Sequence, residues 1–143
     1  MARNTAFAAF LAAIFLLTTA AFQVWWALGG SWGLAAAWGG DYSDLPARLQ
    51  IASAFSSIVL TAGAVIVLGR AGYRVIELPY GVLRWGTWAI VALTGLSALA
   101  NFASSSEWER FLNAPIALLV ALLCLAVARS PYPLRYRDDD TED

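Results

Sequence analysis

The stretch TAFAAFLAAIFLLTTAAFQVWWAL, Thr5 to Leu28, decides how this chain is read, because it carries no Lys, Arg, His, Asp or Glu anywhere along it. A helix needs about 20 consecutive apolar residues to cross the hydrocarbon core of a bilayer, and this stretch supplies them. Three more apolar runs follow, at Ala47 to Leu68, Val82 to Phe102 and Arg110 to Ala128, each free of charged residues in its central stretch. The expected fold is therefore an all-α integral membrane protein, a four-transmembrane-helix up-down-up-down bundle. Its helices should cover about 5–28, 46–69, 81–102 and 107–129, within a transmembrane domain at 1–130 followed by an acidic cytoplasmic tail at 131–143. The first run begins like a signal peptide, with Arg3 ahead of it, but it outruns the usual apolar region and lacks a small-residue cleavage site, so it reads as a retained helix.

Composition agrees with a membrane domain. Hydrophobic residues make up 60% and charged residues 13% of the 143 positions, whereas soluble domains approach about 25% charged. The formal net charge is -1 and the charges cluster at the ends of the apolar runs, so there is no basic face for nucleic acid. All nine basic residues are Arg, and seven of them (Arg3, Arg70, Arg74, Arg84, Arg129, Arg135 and Arg137) flank one side of the bundle. Short loops rich in basic residues stay cytoplasmic, which puts both termini on the cytoplasmic side of a cytoplasmic (inner) membrane. The same arginines are suited to anionic lipid head groups. Arg74 and Arg84 also flank Glu77, where an ion pair between helix ends is expected.

Local signals set the helix boundaries. Asp44 is positioned to cap the second helix with Pro46 in its first turn, and Pro79 stands similarly before the third. Ser106 and Glu109 have the S-x-x-E spacing of a capping box, which starts the fourth helix ahead of its apolar run. Pro115 then falls inside that helix and leaves the Phe111 carbonyl without its usual donor, so a kink is expected near Phe111 to Pro115.

The external connection Gly29 to Leu45 is unusually apolar, with paired glycines around a Ser- and Ala-rich core, and suggests a short helical turn in the interface or folded over the bundle. Trp25, Trp26, Trp32, Trp38 and Trp108 all fall on this side. Either they form an aromatic belt, or Trp26, Trp32, Trp38 and Trp108 belong to a lid over an outward-facing site. Beneath such a lid lie polar residues at helical spacing: Gln23, then Ser53, Ser57 and Thr61, then Thr94, Ser97 and Asn101, then Asn113. Small hydroxylated residues commonly serve helix packing in membranes. The amides carry more hydrogen-bonding sites than close packing requires, so an outer-leaflet pocket built from Gln23, Ser53, Ser57, Ser97, Asn101 and Asn113 is the sharper expectation. Asp41, Asp44, Glu107 and Glu109 would form an acidic mouth around it, or serve only as solvated loop charges.

Absences narrow the chemistry. Without His there is no Ser-His or Cys-His catalytic pair, and Cys124 alone cannot form an internal disulfide. Without Lys there is no retinal-type Schiff base, and without carboxylates at mid-membrane there is no ordinary proton relay. No cofactor and no metal site are expected, and the protein should not be an enzyme.

The segment WALGGSWG, Trp26 to Gly33, resembles the W-A-L-G-G-x-W-G signature of an uncharacterised family of small bacterial four-helix membrane proteins. Asn101 to Arg110 followed by Pro115 is similar to the third connection of actinobacterial membrane proteins of this type. The resemblance implies the four-helix fold and a bacterial source, and it carries no assigned activity. The Ala- and Trp-rich loop that follows, with no proline before Pro46, departs from the pattern. The leading functional expectation is binding or passage of a small ligand or ion through the outer pocket, in a homo-oligomer or alone. The alternatives are an accessory subunit of a larger membrane complex and, last, an enzyme using surface carboxylates.

Overall fold

Ala, Leu and Ile favour uninterrupted helix, and Gly and Pro gather where this chain turns. The computed structural model describes residues 2–73 and 77–131. Its helices are α1 (Ala2–Ala27), α2 (Ala47–Arg70), α3 (Tyr80–Phe102) and α4 (Ala114–Arg129), and no strand occurs among the described residues. All four are long and apolar enough to cross a membrane, the fourth counted from Glu109. With the fourth counted from Glu109, their ends fall within three residues of the sequence expectation, the largest difference being at the start of α1, which reaches back to Ala2. The calls on Arg74, Arg135, Arg137 and the acidic tail from Asp138 to Asp143 lie outside the described residues.

Neighbouring helices run antiparallel and close into a ring, with α1 packed most extensively on α2 and α3 on α4. The core is built from small side chains. Ala8, Ala9, Ala12, Ala13 and Leu16 of α1 meet Ala64 and Val67 of α2, Ile90 of α3, and Val120, Cys124 and Val127 of α4. Lipid offers no hydrophobic drive between helices, so association rests on close packing, which alanine and glycine permit. The α2 and α3 surfaces interlock in this way: a methyl group on Gly63 would fall 2.6 Å from Ile90, one on Gly69 2.8 Å from Leu83, and one on Gly86 3.0 Å from Ile66. Thr87 and Thr94 also lie inward, and each satisfies its hydroxyl on its own helix, donating to Leu83 and Ile90 carbonyls at 2.7 Å.

Three helix starts differ from expectation in chemistry rather than position. Asp44 is exposed and makes no cap; Pro46 is the N-cap residue of α2, and no side chain caps that end. The Pro46 carbonyl instead accepts from Leu49 and Gln50 at 2.8 and 3.1 Å. Pro79 does the same for α3, accepting from Val82 and Leu83. At the fourth helix, Ser106 Oγ accepts from the Glu109 amide at 3.4 Å, which is half of a capping box. The Glu109 carboxylate does not complete the box, because it is drawn elsewhere. Near Phe111 to Pro115, where a kink was expected, the backbone forms a π-helical turn over Glu109–Asn113, with the Ala114 amide bonded to the Glu109 carbonyl.

One end of the bundle brings together the starts of α1 and α3 and the ends of α2 and α4. There Arg70 is only 5% exposed. It donates to the Ser130 carbonyl at 2.8 Å and lies 6.0 Å from the Tyr80 ring centroid, so it ties α2 to α4 rather than reaching outward. Thr5 and Ser130 share a hydroxyl contact of 2.8 Å, and Tyr73 donates to the Ala6 carbonyl. Glu77 is exposed at this end.

Candidate polar site beneath the tryptophan-rich connection

The opposite end carries the 28–46 connection, and apolar residues within it explain its shape. Leu34, Ala37 and Leu45 bury against Trp26, with Phe22, Trp38, Tyr42 and Leu49 around them, giving this end a small core of its own. The chain passes through two 3₁₀ turns, Leu34–Ala36 and Trp38–Gly40, and so folds over the bundle as a cap. Trp26 donates its indole N–H to the Trp32 carbonyl at 3.0 Å, and Phe22 stacks on Trp32 with centroids 5.6 Å apart. The Trp25 ring lies against Gly30, where an added methyl would fall 2.1 Å from it.

Three side chains from the start of the fourth helix latch this cap. Glu109 accepts from the Gly39 amide at 3.0 Å and from the Ser104 hydroxyl. Ser106 donates to the Ala35 carbonyl at 3.0 Å, and Asn113 donates through Nδ2 to the Ala36 carbonyl at 2.5 Å. Trp38, Gly39 and Gly40 all have left-handed backbone, with φ of 54°, 86° and 79°. That conformation costs a bulky L residue about 1–2 kcal/mol, which the latch must offset at Trp38. At Gly40 there is also no space: a methyl there would meet the Ala35 carbonyl oxygen at 3.0 Å and Ser106 Oγ at 3.1 Å.

The expected pocket residues divide on this frame. Ser97 is exposed on the outer flank of α3 and lines nothing; the inward stripe passes through Leu83, Thr87, Ile90, Thr94 and Ala98 instead. Ser57 is half-buried and returns its hydroxyl to the Ala54 carbonyl at 2.7 Å. Asn113 serves the latch. Asn101 is half-buried in the last turn of α3. Gln23 and Ser53 remain. The close approach of Gly29 to Gln50 and the Thr5–Ser130 contact fix the antiparallel registers of α1 with α2 and with α4. Those registers bring Gln23, Ser53 and Asn113 within about a turn of one level, just under the cap.

At that level, and at Trp38 in the cap, the polar accounting is incomplete. Ser53 is fully buried, and its Oγ makes no hydrogen bond among the described residues; the same holds for the buried Gln23 Oε1 and Trp38 Nε1. A buried polar group left unpaired costs about 1–3 kcal/mol. Ser53 is the telling case, because serine and threonine in helices ordinarily bond back to their own backbone, as Ser57, Thr61, Thr87 and Thr94 do here.

Other expected members lie elsewhere. Of the lid tryptophans, Trp26 and Trp38 pack inside the cap, whereas Trp32 and Trp108 are 70% and 60% exposed. Of the acidic mouth, Asp41, Asp44 and Glu107 are exposed, but Glu109 is 8% exposed and so is no surface charge. Its pull toward Gly39 joins positions distant in sequence, and no local motif announces it. Ser104 and Glu109 do meet as a hydroxyl and a carboxylate. Ser104 Oγ, however, also accepts from the Ser106 amide at 3.1 Å, so both groups are engaged in holding the connection. No group of three or more His, Cys, Asp or Glu able to hold a metal occurs among the described residues. Comparison with protein-family models, with curated proteins and with solved structures finds no match to this chain.

Proposed function

We propose that this protein is a multi-pass inner-membrane protein, both termini cytoplasmic, that binds or passes a small uncharged polar molecule at the layer of Gln23 and Ser53 under the external cap. Unpaired buried polar atoms carry the reading: Gln23 Oε1, Ser53 Oγ and Trp38 Nε1. Gln23 Oε1 accepts, Trp38 Nε1–H donates, and the Ser53 hydroxyl does either. The complementary molecule therefore has both a donor and an acceptor, as water, a primary amide or a polyol does. A bare cation is disfavoured by the indole N–H, and an anion by the want of a basic side chain in the layer.

The test uses the whole chain in lipid nanodiscs, with acetamide and glycerol as probes. A site-bound probe raises stability by about 2.7 kcal/mol at a hundredfold excess over Kd. Ser53→Ala and Gln23→Leu should leave the probe-free protein as stable as before, or more stable by about 1 kcal/mol, since each removes an unpaired buried group. Both should abolish the response to the probe, and Ser57→Ala should preserve it. Loss of stability in probe-free Ser53→Ala would mean that the hydroxyl is a structural bond, and the reading would fall.

A further inference from the structure

The cap is fastened in two ways. Its roots continue into α1 and α2, and across the bundle it is tied to the start of the fourth helix through Ser106 on Ala35, Asn113 on Ala36 and Glu109 on Gly39. Trp38 stands inside this latched stretch, between Ala36 and Gly39, and bears two unfavourable features at once. It is the one non-glycine residue with positive φ among the described residues, at 54°, and its buried indole N–H makes no hydrogen bond there. Trp26 shows the ordinary solution, donating its indole N–H to the Trp32 carbonyl at 3.0 Å. When the latch lets go, the Trp38 backbone is free to leave the left-handed region and its N–H to reach water. Both costs therefore belong to the closed, empty cap.

A molecule that accepts from the Trp38 N–H while also meeting Gln23 and Ser53 removes one of these costs, and does so only with the cap shut. Opening carries Trp38 away with Gly39, whereas Gln23 and Ser53 stay on α1 and α2. A ligand shifts a two-state equilibrium by its differential affinity for the two states. We infer that Trp38 couples the site to the cap: a small polar molecule with an acceptor oxygen closes the cap over itself by taking the Trp38 N–H, so that binding and closure are one event. This coupling rests on the proposed site at Gln23 and Ser53 and adds how that site is shut. Glu109, Ser106 and Asn113 set how often the empty cap opens, and the bound oxygen holds it closed.

The test uses acetamide, whose carbonyl accepts and whose amino group donates, on the whole chain in lipid nanodiscs. Thermal unfolding reads binding, and hydrogen exchange over residues 33–42 reads the cap. A molecule held only by the closed cap slows exchange through cap opening about a hundredfold at a hundredfold excess over Kd. That slowing is expected in the wild type, and it should fall below about threefold in Trp38→Phe, which keeps a ring and loses the N–H. The nitrogen-15-labelled Trp38 indole resonance should also move downfield with acetamide, while that of Trp26, already bonded to Trp32, stays in place. This second readout decides the matter in the wild type should Trp38→Phe fold poorly. No effect of acetamide on thermal unfolding would remove the site and the coupling with it. Thermal stabilisation that Ser53→Ala abolishes, with cap exchange within about threefold of the acetamide-free protein, would keep the site and overturn the coupling. So would slowing that persists in Trp38→Phe, or an unmoved Trp38 indole resonance.

Discussion

Removing the Glu109 carboxylate should release the cap without melting the bundle. In the folded protein this side chain takes the Gly39 amide at 3.0 Å and the Ser104 hydroxyl while 8% exposed. Hydrogen bonds to a charged acceptor contribute about 1.5–3 kcal/mol each, and Gly39 is only partly buried, so water recovers some of the loss. Glu109→Ala should therefore favour the opened cap by about 3 kcal/mol, roughly a hundredfold in the opening equilibrium at 1.4 kcal/mol per decade. Glu109→Gln keeps an oxygen for Gly39 and loses the charge, which should cost about 1 kcal/mol and less than tenfold. Hydrogen exchange by mass spectrometry on peptides covering residues 33–42 reads the opening directly. Cys124 reports on the bundle, because it is fully buried in the main core and no cap residue belongs to that cluster. Its maleimide labelling should stay slow in both variants. Exchange within threefold of wild type in Glu109→Ala, or Cys124 labelling that accelerates in step with cap exchange, would refute the idea of a separately latched cap.

Further outcomes follow from the same contacts. Asn113→Ala strips the Ala36 carbonyl of its donor and should cost about 1 kcal/mol, seen as faster exchange over the same peptides. Gly40→Ala should cost about 2–3 kcal/mol, because φ is 79° and the new methyl meets the Ala35 carbonyl oxygen. Gly95→Ala, where nothing lies within 4 Å, should instead be neutral or stabilising by up to about 1 kcal/mol; thermal unfolding in one detergent compares the two. Arg70→Ala removes the bond to Ser130 and the buried packing of the side-chain stem, so Cys124 labelling should accelerate by at least about tenfold, unlike in Arg84→Ala at the exposed surface.

The four spans were legible because lipid imposes a strong and simple rule on sequence: a helix must stay apolar for its whole crossing. Ser106 as a cap residue and the disturbance before Pro115 were legible for a similar reason, since their partners lie within a turn. The latch was not. Glu109 bonds to Gly39 across 70 positions, and the capping-box spacing pointed its carboxylate back to Ser106. Ser97 shows another limit. Thr94, Ser97 and Asn101 and Thr94, Ala98 and Asn101 are both helical spacings, and in a membrane the polar residue need not mark the inner face. Arg70 looked like any other cytoplasmic arginine, because nothing local revealed that its guanidinium reaches the end of α4.

Where the polar side chains of the bundle find their partners bears most on function. At the terminal end Arg70, Thr5, Tyr73 and Ser130 join neighbouring helices through one another and through backbone carbonyls. In mid-membrane Thr87 and Thr94 close onto their own helix. Beneath the cap Gln23 Oε1, Ser53 Oγ and Trp38 Nε1 make no hydrogen bond among the described residues, although a helical serine ordinarily bonds back to a carbonyl of the preceding turn. A chain that needed nothing but close packing there could carry alanine at position 53 and leucine at position 23 at no cost. The energy left unrecovered by Gln23, Ser53 and Trp38 is of the size that binding one small polar molecule would return, as the proposed site requires, and Glu109, Ser106 and Asn113 hold the cap above the Gln23 and Ser53 layer.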